Sequence, residues 1–162
     1  MSTGSRQSRE GQDEHPIGGY VALMGAFSAL AVGFAAWMAR SGREYPERLD
    51  GRDLALLTVA THKASRLLTK DRVTRPVRAP FTSFQEGSGA GEVEERARGR
   101  GLRRAIGELL VCPYCLGMWI ATILAVGMTL APRQTRWVAS VLSAHFGADV
   151  LHVVYKKLED TL

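Results

Sequence analysis

Three polar side chains lie in the last apolar stretch of the sequence, where ionisable groups are costly. His145, Asp149 and His152 follow one another at positions i, i+4 and i+7, so a helix places all three on one face. Polar groups in a membrane span usually face the bundle interior, and they often mark a functional site. Two interpretations stay open: this face holds helices together through hydrogen bonds or a salt bridge to Arg66, or it supplies ligands to a metal ion.

The two cysteines of the chain stand in the tetrapeptide Cys112-Pro113-Tyr114-Cys115. This tetrapeptide is the active-site sequence of glutaredoxin-like thiol–disulfide enzymes, in which a helix N-terminus favours the first thiolate. Those enzymes require a strand before the motif, and no strand pattern precedes it here, so we reject that fold. Packing of small apolar residues, metal ligation and thiol chemistry remain as alternatives. Because the cytoplasmic face is reducing, we expect free thiols.

The two groups fall at a similar depth if the last two apolar stretches form an antiparallel helical hairpin. Counted from the turn near Gln134, Cys115 lies 19 residues before it and His152 lies 18 residues after it. Cys112, Cys115, Asp149 and His152 together are then a soft ligand set suited to zinc. The sequence has no second CxxC motif and no ligand pair with zinc-finger spacing. We therefore expect no cofactor, and zinc is the alternative.

The elements that must position these residues are apolar helices. The chain has 162 residues, 46% of them hydrophobic, and a net charge of +5. The hydrophobic residues are concentrated in blocks, which excludes a disordered chain, a disulfide-rich scaffold and a long coiled coil. The blocks 17–39 and 109–131 are each 23 residues without a charge, and 137–155 has Asp149 as its only formal charge. Each is long enough to cross a bilayer.

The segment 53–69 is harder to assign, because its second half contains His62, Lys63 and Arg66. These groups are costly in lipid unless they face other helices or reach the headgroups. We favour a helix that crosses the membrane over one that lies in the interface. The sequence thus predicts an all-α integral membrane bundle of about four helices, three of them clear spans.

Loop charges predict the orientation of the bundle. Residues 70–104 contain nine Lys or Arg and five acids, whereas residues 40–53 contain four of each. Basic loops mark the cytoplasmic side, so we place 70–104 and the C-terminus there, in a multi-pass protein of the bacterial inner membrane. The predicted units are a polar tail (1–16), an extra N-terminal span (17–39), a membrane domain (53–155) with a flexible insert (82–101), and a C-terminal tail (156–162).

A basic segment from Lys70 to Phe81, which we call the strap, follows the second helix. Pro76 and Pro80 bias the residues before them towards extended geometry, so the strap is not a continuing helix. Its cations attract anionic headgroups. We discount nucleic acid as a partner because no stacking aromatic residues interleave with the arginines. We hypothesise that Asp71 pairs with one of three arginines and that the strap folds under the bundle against two aromatic residues: Arg66, Arg75, Arg78, Tyr114 and Trp119.

Two motifs together resemble a known family. The pattern Asp-x-x-[ST]-x-Pro-x-Arg, followed by CPxCxGxW, is similar to that of a family of small bacterial and phage membrane proteins of unknown function, which contains the Bacillus sporulation protein YjcA. The resemblance runs from about Leu54 to Tyr155. It supports a membrane protein and implies no reaction. The residues that carry it, besides the cysteines and Thr74, are Arg66, Asp71, Pro76, Arg78, Pro80, Pro113, Gly117 and Trp119.

We expect a non-enzymatic membrane scaffold or interaction protein, with a protein partner or a second copy of the chain. The first alternative is a membrane-embedded metal-binding or thiol-redox protein that uses the CPYC motif. A small pore or holin-like protein ranks lowest, because the first helix has no polar stripe.

Overall fold

The computed structural model describes residues 16–45, 48, 50–89 and 91–161, so nearly all of the predicted polar tail lies outside the described residues. Within these ranges the chain forms helices and one β-hairpin, so the all-α prediction is correct for the bundle and incomplete for the whole. The elements are α1 (Ile17–Ser41), α2 (Gly51–Thr69), α3 (Arg75–Arg78), β1 (Thr82–Gly87), β2 (Val93–Ala97), α4 (Gly101–Val111), α5 (Pro113–Leu130) and α6 (Pro132–Glu159).

Three of the described helices, α1, α5 and α6, are long and apolar enough to cross a membrane. They contain most of the three apolar blocks of the sequence. Helix α2 has the length but is more polar, because its second half carries basic residues. Few residues of their apolar windows are buried within the described structure: 6% for α1, 17% for α5 and 6% for α6.

Helix α2 packs against both α5 and α6, and the hydrophobic core lies where the three helices meet. Helix α5 contributes a stripe with a spacing of four residues, which is the ridge that one helix presents to the grooves of a neighbour. The buried residues of this core are Leu57, Ala60, Leu116, Ile120, Leu124, Met128 and Ala139. The bundle is therefore held by one continuous apolar seam centred on α2.

Side-chain contacts show that α2 and α6 run in the same direction. Asp53 near the start of α2 binds Arg136 near the start of α6 through two hydrogen bonds of 2.7 and 2.9 Å. Further along, Lys63 reaches Asp149. Helix α5 runs the opposite way, because it precedes α6 across the tight turn at Ala131. Helix α2 therefore lies beside α6 for most of its length.

The predicted span 109–131 is not one helix, because the helix breaks at Cys112. This residue is extended (φ −105°, ψ 103°) and separates α4 from α5. The cause is Pro113, which disfavours helical geometry in the residue before it and starts a new helix at its own position. The apolar residues 109–111 belong to α4, which packs against α1 and β2.

The predicted flexible insert 82–101 is instead mostly a β-hairpin. Strands β1 and β2 pair antiparallel with Thr82 opposite Ala97, and the connecting loop uses Gly89 and Gly91 at φ of 75° and 81°. Val93 and Glu95 point inward, whereas Arg96 points to solvent. Since one inward residue is charged, the alternation of apolar and polar residues that predicts a strand is hidden. We call the strap, the hairpin and α4 together the cap.

Candidate functional site

The centre of the cap is Arg78, whose side chain is fully buried (0% exposed). Its Nε donates to Glu95 at 2.5 Å, and its Nη1 donates to the Thr74 hydroxyl at 2.6 Å and to the Leu68 carbonyl at 2.9 Å. Its Nη2 donates to the Asp71 carbonyl at 2.9 Å. The rigid fork of a guanidinium suits such divergent acceptors. One side chain therefore ties the end of α2, the strap and the hairpin together.

Glu95 supplies the charge that balances Arg78, and its side chain is 1% exposed. Its second oxygen lies 3.1 Å from the Thr82 hydroxyl and 3.6 Å from Nε of Arg75. Two guanidinium groups thus surround one buried carboxylate. A buried pair of this kind contributes little net stability, but removal of one partner leaves a buried charge without compensation. Arg78 and Glu95 depend on each other.

The hypothesis that Asp71 forms the ion pair of the strap is wrong. Its carboxylate accepts the backbone N–H of Val73 at 2.9 Å, which is the geometry of an Asx turn. The carboxylates that meet the arginines come from β2 and the residue before it: Glu95 meets Arg78, and Glu92 takes a bidentate contact from Arg66 at 2.6 and 2.7 Å. The sequence did not indicate these two glutamates as partners, because they lie in the segment that was predicted to be flexible.

The prolines of the strap have two different roles. Pro76 lies in the first turn of α3, where its missing N–H costs nothing. The carbonyl of Pro80 accepts two hydrogen bonds from Arg103, at 2.6 and 3.0 Å, which fix the strap to α4. Close packing completes the attachment, since a Cβ on Gly107 would lie 2.5 Å from the carbonyl oxygen of Phe81. The strap is therefore fixed to α4 by the hydrogen bonds from Arg103 and by the close approach at Gly107.

The strap does not fold against the two aromatic residues that we predicted as its support. Tyr114 is 92% exposed. The ring of Trp119 packs edge to face on Phe27 of α1, with ring centroids 5.1 Å apart. Gly117, another residue of the motif, has open space where a Cβ would stand. These motif residues face α1 or the surroundings of the bundle, away from the arginine network.

Helix α1 joins the cap through its first two turns. The Tyr20 hydroxyl binds the carboxylate of Glu108, whose other oxygen takes a hydrogen bond of 3.0 Å from Arg104. A Cβ on Gly19 would lie 2.7 Å from the Cβ of Ala105, so only glycine permits this approach. The start of α1 therefore lies at the same end of the bundle as the cap.

The polar face of α6 meets α2 at Lys63, where we had considered Arg66 as the partner. Lys63 Nζ lies 2.5 Å from one oxygen of Asp149, and His145 Nδ1 lies 3.3 Å from the other. The His62 ring packs edge to face on Phe146, with centroids 5.4 Å apart. These contacts match the interpretation of α6 as held to its neighbour by polar groups. His152, the last member of the predicted face, is exposed.

The residues predicted to bind zinc are not brought together. In the part of the chain that the structure describes, no group of three or more His, Cys, Asp or Glu side chains is placed to hold a metal ion. Asp149 instead contacts Lys63 of α2. Helix α2 thus packs beside α6 at the position where the count of residues from Gln134 had placed the cysteines. Cys112 and Cys115 form a disulfide, so the expectation of free thiols is not met.

The disulfide lies at the junction between the cap and α5. The two Cα atoms are 5.3 Å apart, within the usual range for a disulfide. Cys112 caps α5, and its sulfur accepts the backbone N–H of Cys115 at 3.2 Å. Cys115 is exposed, and Cys112 is partly exposed. The pair is therefore open to a reagent from outside.

These features define a class: a small bundle with three helices able to cross a membrane, capped at one end by a strap and hairpin locked through a buried arginine. Residues 56–155 match the family described as "Protein of unknown function (DUF1360)", and the chain belongs to this family. It is also 30% identical over 112 residues to the sporulation protein YjcA of Bacillus subtilis (strain 168), covering 67% of this chain and 95% of that relative. No solved structure matches the chain. Helix α1 lies outside the matched region.

Proposed function

We propose that this chain is a multi-pass protein of the bacterial inner membrane that holds a rigid cap at the cytoplasmic surface, where the cap docks another protein. This docking role is that of a scaffold and does not itself require a reaction. The observation that carries the proposal is the Arg78 network. The motif residues that make polar contacts make them with other residues of the cap. Their role is therefore to keep the cap rigid.

Exposed aromatic residues support the membrane part of the proposal. Trp137 and Tyr155 lie near the two ends of α6 and are 70% and 64% exposed. They are 18 positions apart, which is about 27 Å of helix at roughly 1.5 Å per residue. This separation matches the hydrocarbon thickness of a bilayer of about 30 Å, and tryptophan and tyrosine prefer its two interfaces. Helix α2, beside α6, crosses with it and makes the fourth span.

The charge of the cap supports its placement in the cytoplasm. The cap lies at the end of the bundle where α2 ends and α5 begins, and α6 also ends there with Lys156 and Lys157. The three glutamates of the second half of the hairpin, Glu92, Glu94 and Glu95, are all paired with cations from α2 or the strap. The surplus of arginine therefore lies on the outside, where it faces anionic headgroups on the cytoplasmic side.

The outer surface of the cap offers apolar contacts to a partner. Val73 and Val77 of the strap are both exposed, the first of them to 84%, and Phe84 of β1 is exposed under the guanidinium of Arg75. Apolar and arginine contacts side by side are typical of protein interfaces. The network beneath them holds the strap and β1 in fixed geometry, so a partner meets a preformed surface.

The proposal is tested by photo-crosslinking in cells. A photoreactive amino acid is placed at Val73, Val77 or Phe84, with Ile123 on the exposed side of α5 as the matched control. We expect a discrete crosslinked protein at the cap positions and lipid adducts alone at the control position. A fluorescent reporter inserted after Gly89 should be active in the cytoplasm. A cap that is folded yet gives no protein adduct at any position, or a reporter that is exported, would refute the proposal.

A further inference from the structure

We propose that Cys112 and Cys115 are a reversible dithiol–disulfide couple that exchanges electrons with charged peptidic disulfides at the cytoplasmic surface of the membrane. This activity is separate from the docking role, and only its location at the cytoplasmic surface rests on the proposed function. Three observations support it: the two sulfurs are bonded, the pair is accessible, and a charged groove is lined in part by Val111, the residue before Cys112. A cysteine pair that only packs needs none of the three.

The backbone around the pair makes Cys112 the nucleophile. Cys112 caps α5, a helix of 18 residues, and its sulfur lies 3.2 Å from the N–H of Cys115. A thiolate in this position accepts that N–H and lies at the positive end of the helix dipole. Cys115 lies inside the first turn, where its sulfur caps nothing. Cys112 therefore attacks, and Cys115 resolves.

A groove of about 740 Å³ between the hairpin and α4 reaches Val111, the residue before Cys112. Side chains of both signs line it, so it fits a peptide that carries carboxylates and an ammonium group rather than a lipid. The cations along the groove are Arg96, Arg98 and Arg104, and the acids are Glu86, Glu94, Glu95 and Glu108. The substrate that we infer is therefore a soluble, charged peptide disulfide.

The exchange balances without a metal or a bound cofactor. The Cys112 thiolate attacks one sulfur of the substrate disulfide, whose S–S bond breaks, and a mixed disulfide forms while the first substrate thiolate leaves and takes a proton. The Cys115 thiolate then attacks the Cys112 sulfur, releasing the second substrate thiol and forming the bond seen in the structure. The protein loses two electrons and the substrate gains them. A cellular dithiol reverses the step.

The first experiment measures the couple in the purified full-length protein in detergent. The protein is equilibrated with mixtures of reduced and oxidised glutathione, and free thiols are counted with a polymer-linked maleimide on a gel. We expect a complete and reversible change from two thiols to none across the series. A disulfide that resists excess dithiothreitol without denaturant, or thiols that stay reduced in oxidised glutathione, would each overturn the proposal.

The second experiment separates the roles of the two cysteines and tests the substrate. At pH 7, Cys115→Ser should form a mixed disulfide with glutathione at Cys112 at least about tenfold faster than Cys112→Ser forms one at Cys115. Replacing Arg96 and Arg98 by glutamine should slow oxidation of the wild-type pair by glutathione disulfide but not by the uncharged hydroxyethyl disulfide. Equal rates for the two cysteine variants would refute the assignment of Cys112. Equal slowing of both disulfides would refute the charged substrate.

Discussion

Replacing Glu95 by glutamine tests whether one buried carboxylate holds the cap together. The substitution keeps the shape of the side chain and removes the charge that balances Arg78, and the two side chains are 1% and 0% exposed. Loss of one partner of a buried ion pair costs about 3 to 5 kcal/mol. Since about 1.4 kcal/mol is a factor of ten, the population of opened caps should rise by roughly a hundredfold to several thousandfold.

Hydrogen exchange measured by mass spectrometry on the hairpin peptides, with the protein in lipid nanodiscs, reports this opening directly. The matched control is Glu92→Gln on the same hairpin, because Glu92 and its partner Arg66 are 29% and 44% exposed. An exposed pair of this kind is worth less than about 1 kcal/mol, so exchange should rise less than about fivefold. Equal effects at Glu95 and Glu92 would refute the reasoning.

Two further substitutions test the packing of the cap and the polar contact between the helices. Gly107→Ala places a Cβ 2.5 Å from the Phe81 carbonyl oxygen, so hairpin exchange should rise by at least about tenfold, whereas Gly117→Ala, which meets open space, should leave it unchanged. Lys63→Met removes the cation beside Asp149 and should lower the melting temperature of the solubilised protein, and the added change Asp149→Leu should restore most of it. A stable Lys63→Met variant, or clashing and open glycines that behave alike, would contradict the contacts described here.

The helices of the bundle could be predicted because the hydropathy pattern of each one extends over a long run of consecutive residues. The sequence predicted a first helix at 17–39 and a second at 53–69, and the structure has Ile17–Ser41 and Gly51–Thr69. The hairpin of α5 and α6 was also expected, but its turn lies at Ala131, and residues 132–135, which the sequence suggested as the turn, belong to α6. These features depend on residues that are near one another in the chain. The family assignment from the two motifs is confirmed by the family match over residues 56–155 and by the relative at 30% identity.

The cap was not predictable by the same means, because a charged residue replaces an apolar one at its centre. Glu95 occupies the inward position of β2 that a sequence pattern expects to be apolar, and it is stabilised there by Arg78, 17 residues away. Neither residue alone indicates burial, since a lone charge is usually exposed. The prediction of a zinc site missed the Lys63 contact for a related reason. It compared the depths of residues in α5 and α6 and left out α2, whose Lys63 contacts Asp149.

The Lys63–Asp149 contact has a consequence for how the chain is made. The two residues are 86 positions apart, and α2 leaves the ribosome long before α6. At about 5 to 20 residues per second, Lys63 waits roughly 4 to 17 seconds for its carboxylate. In the four-span arrangement that we propose, α2 is the span that lipid alone accepts least, since its basic side chain has no counter-ion at that stage. The nascent chain therefore has to keep α2 at the membrane surface, or in the insertion machinery, until the last helix is synthesised.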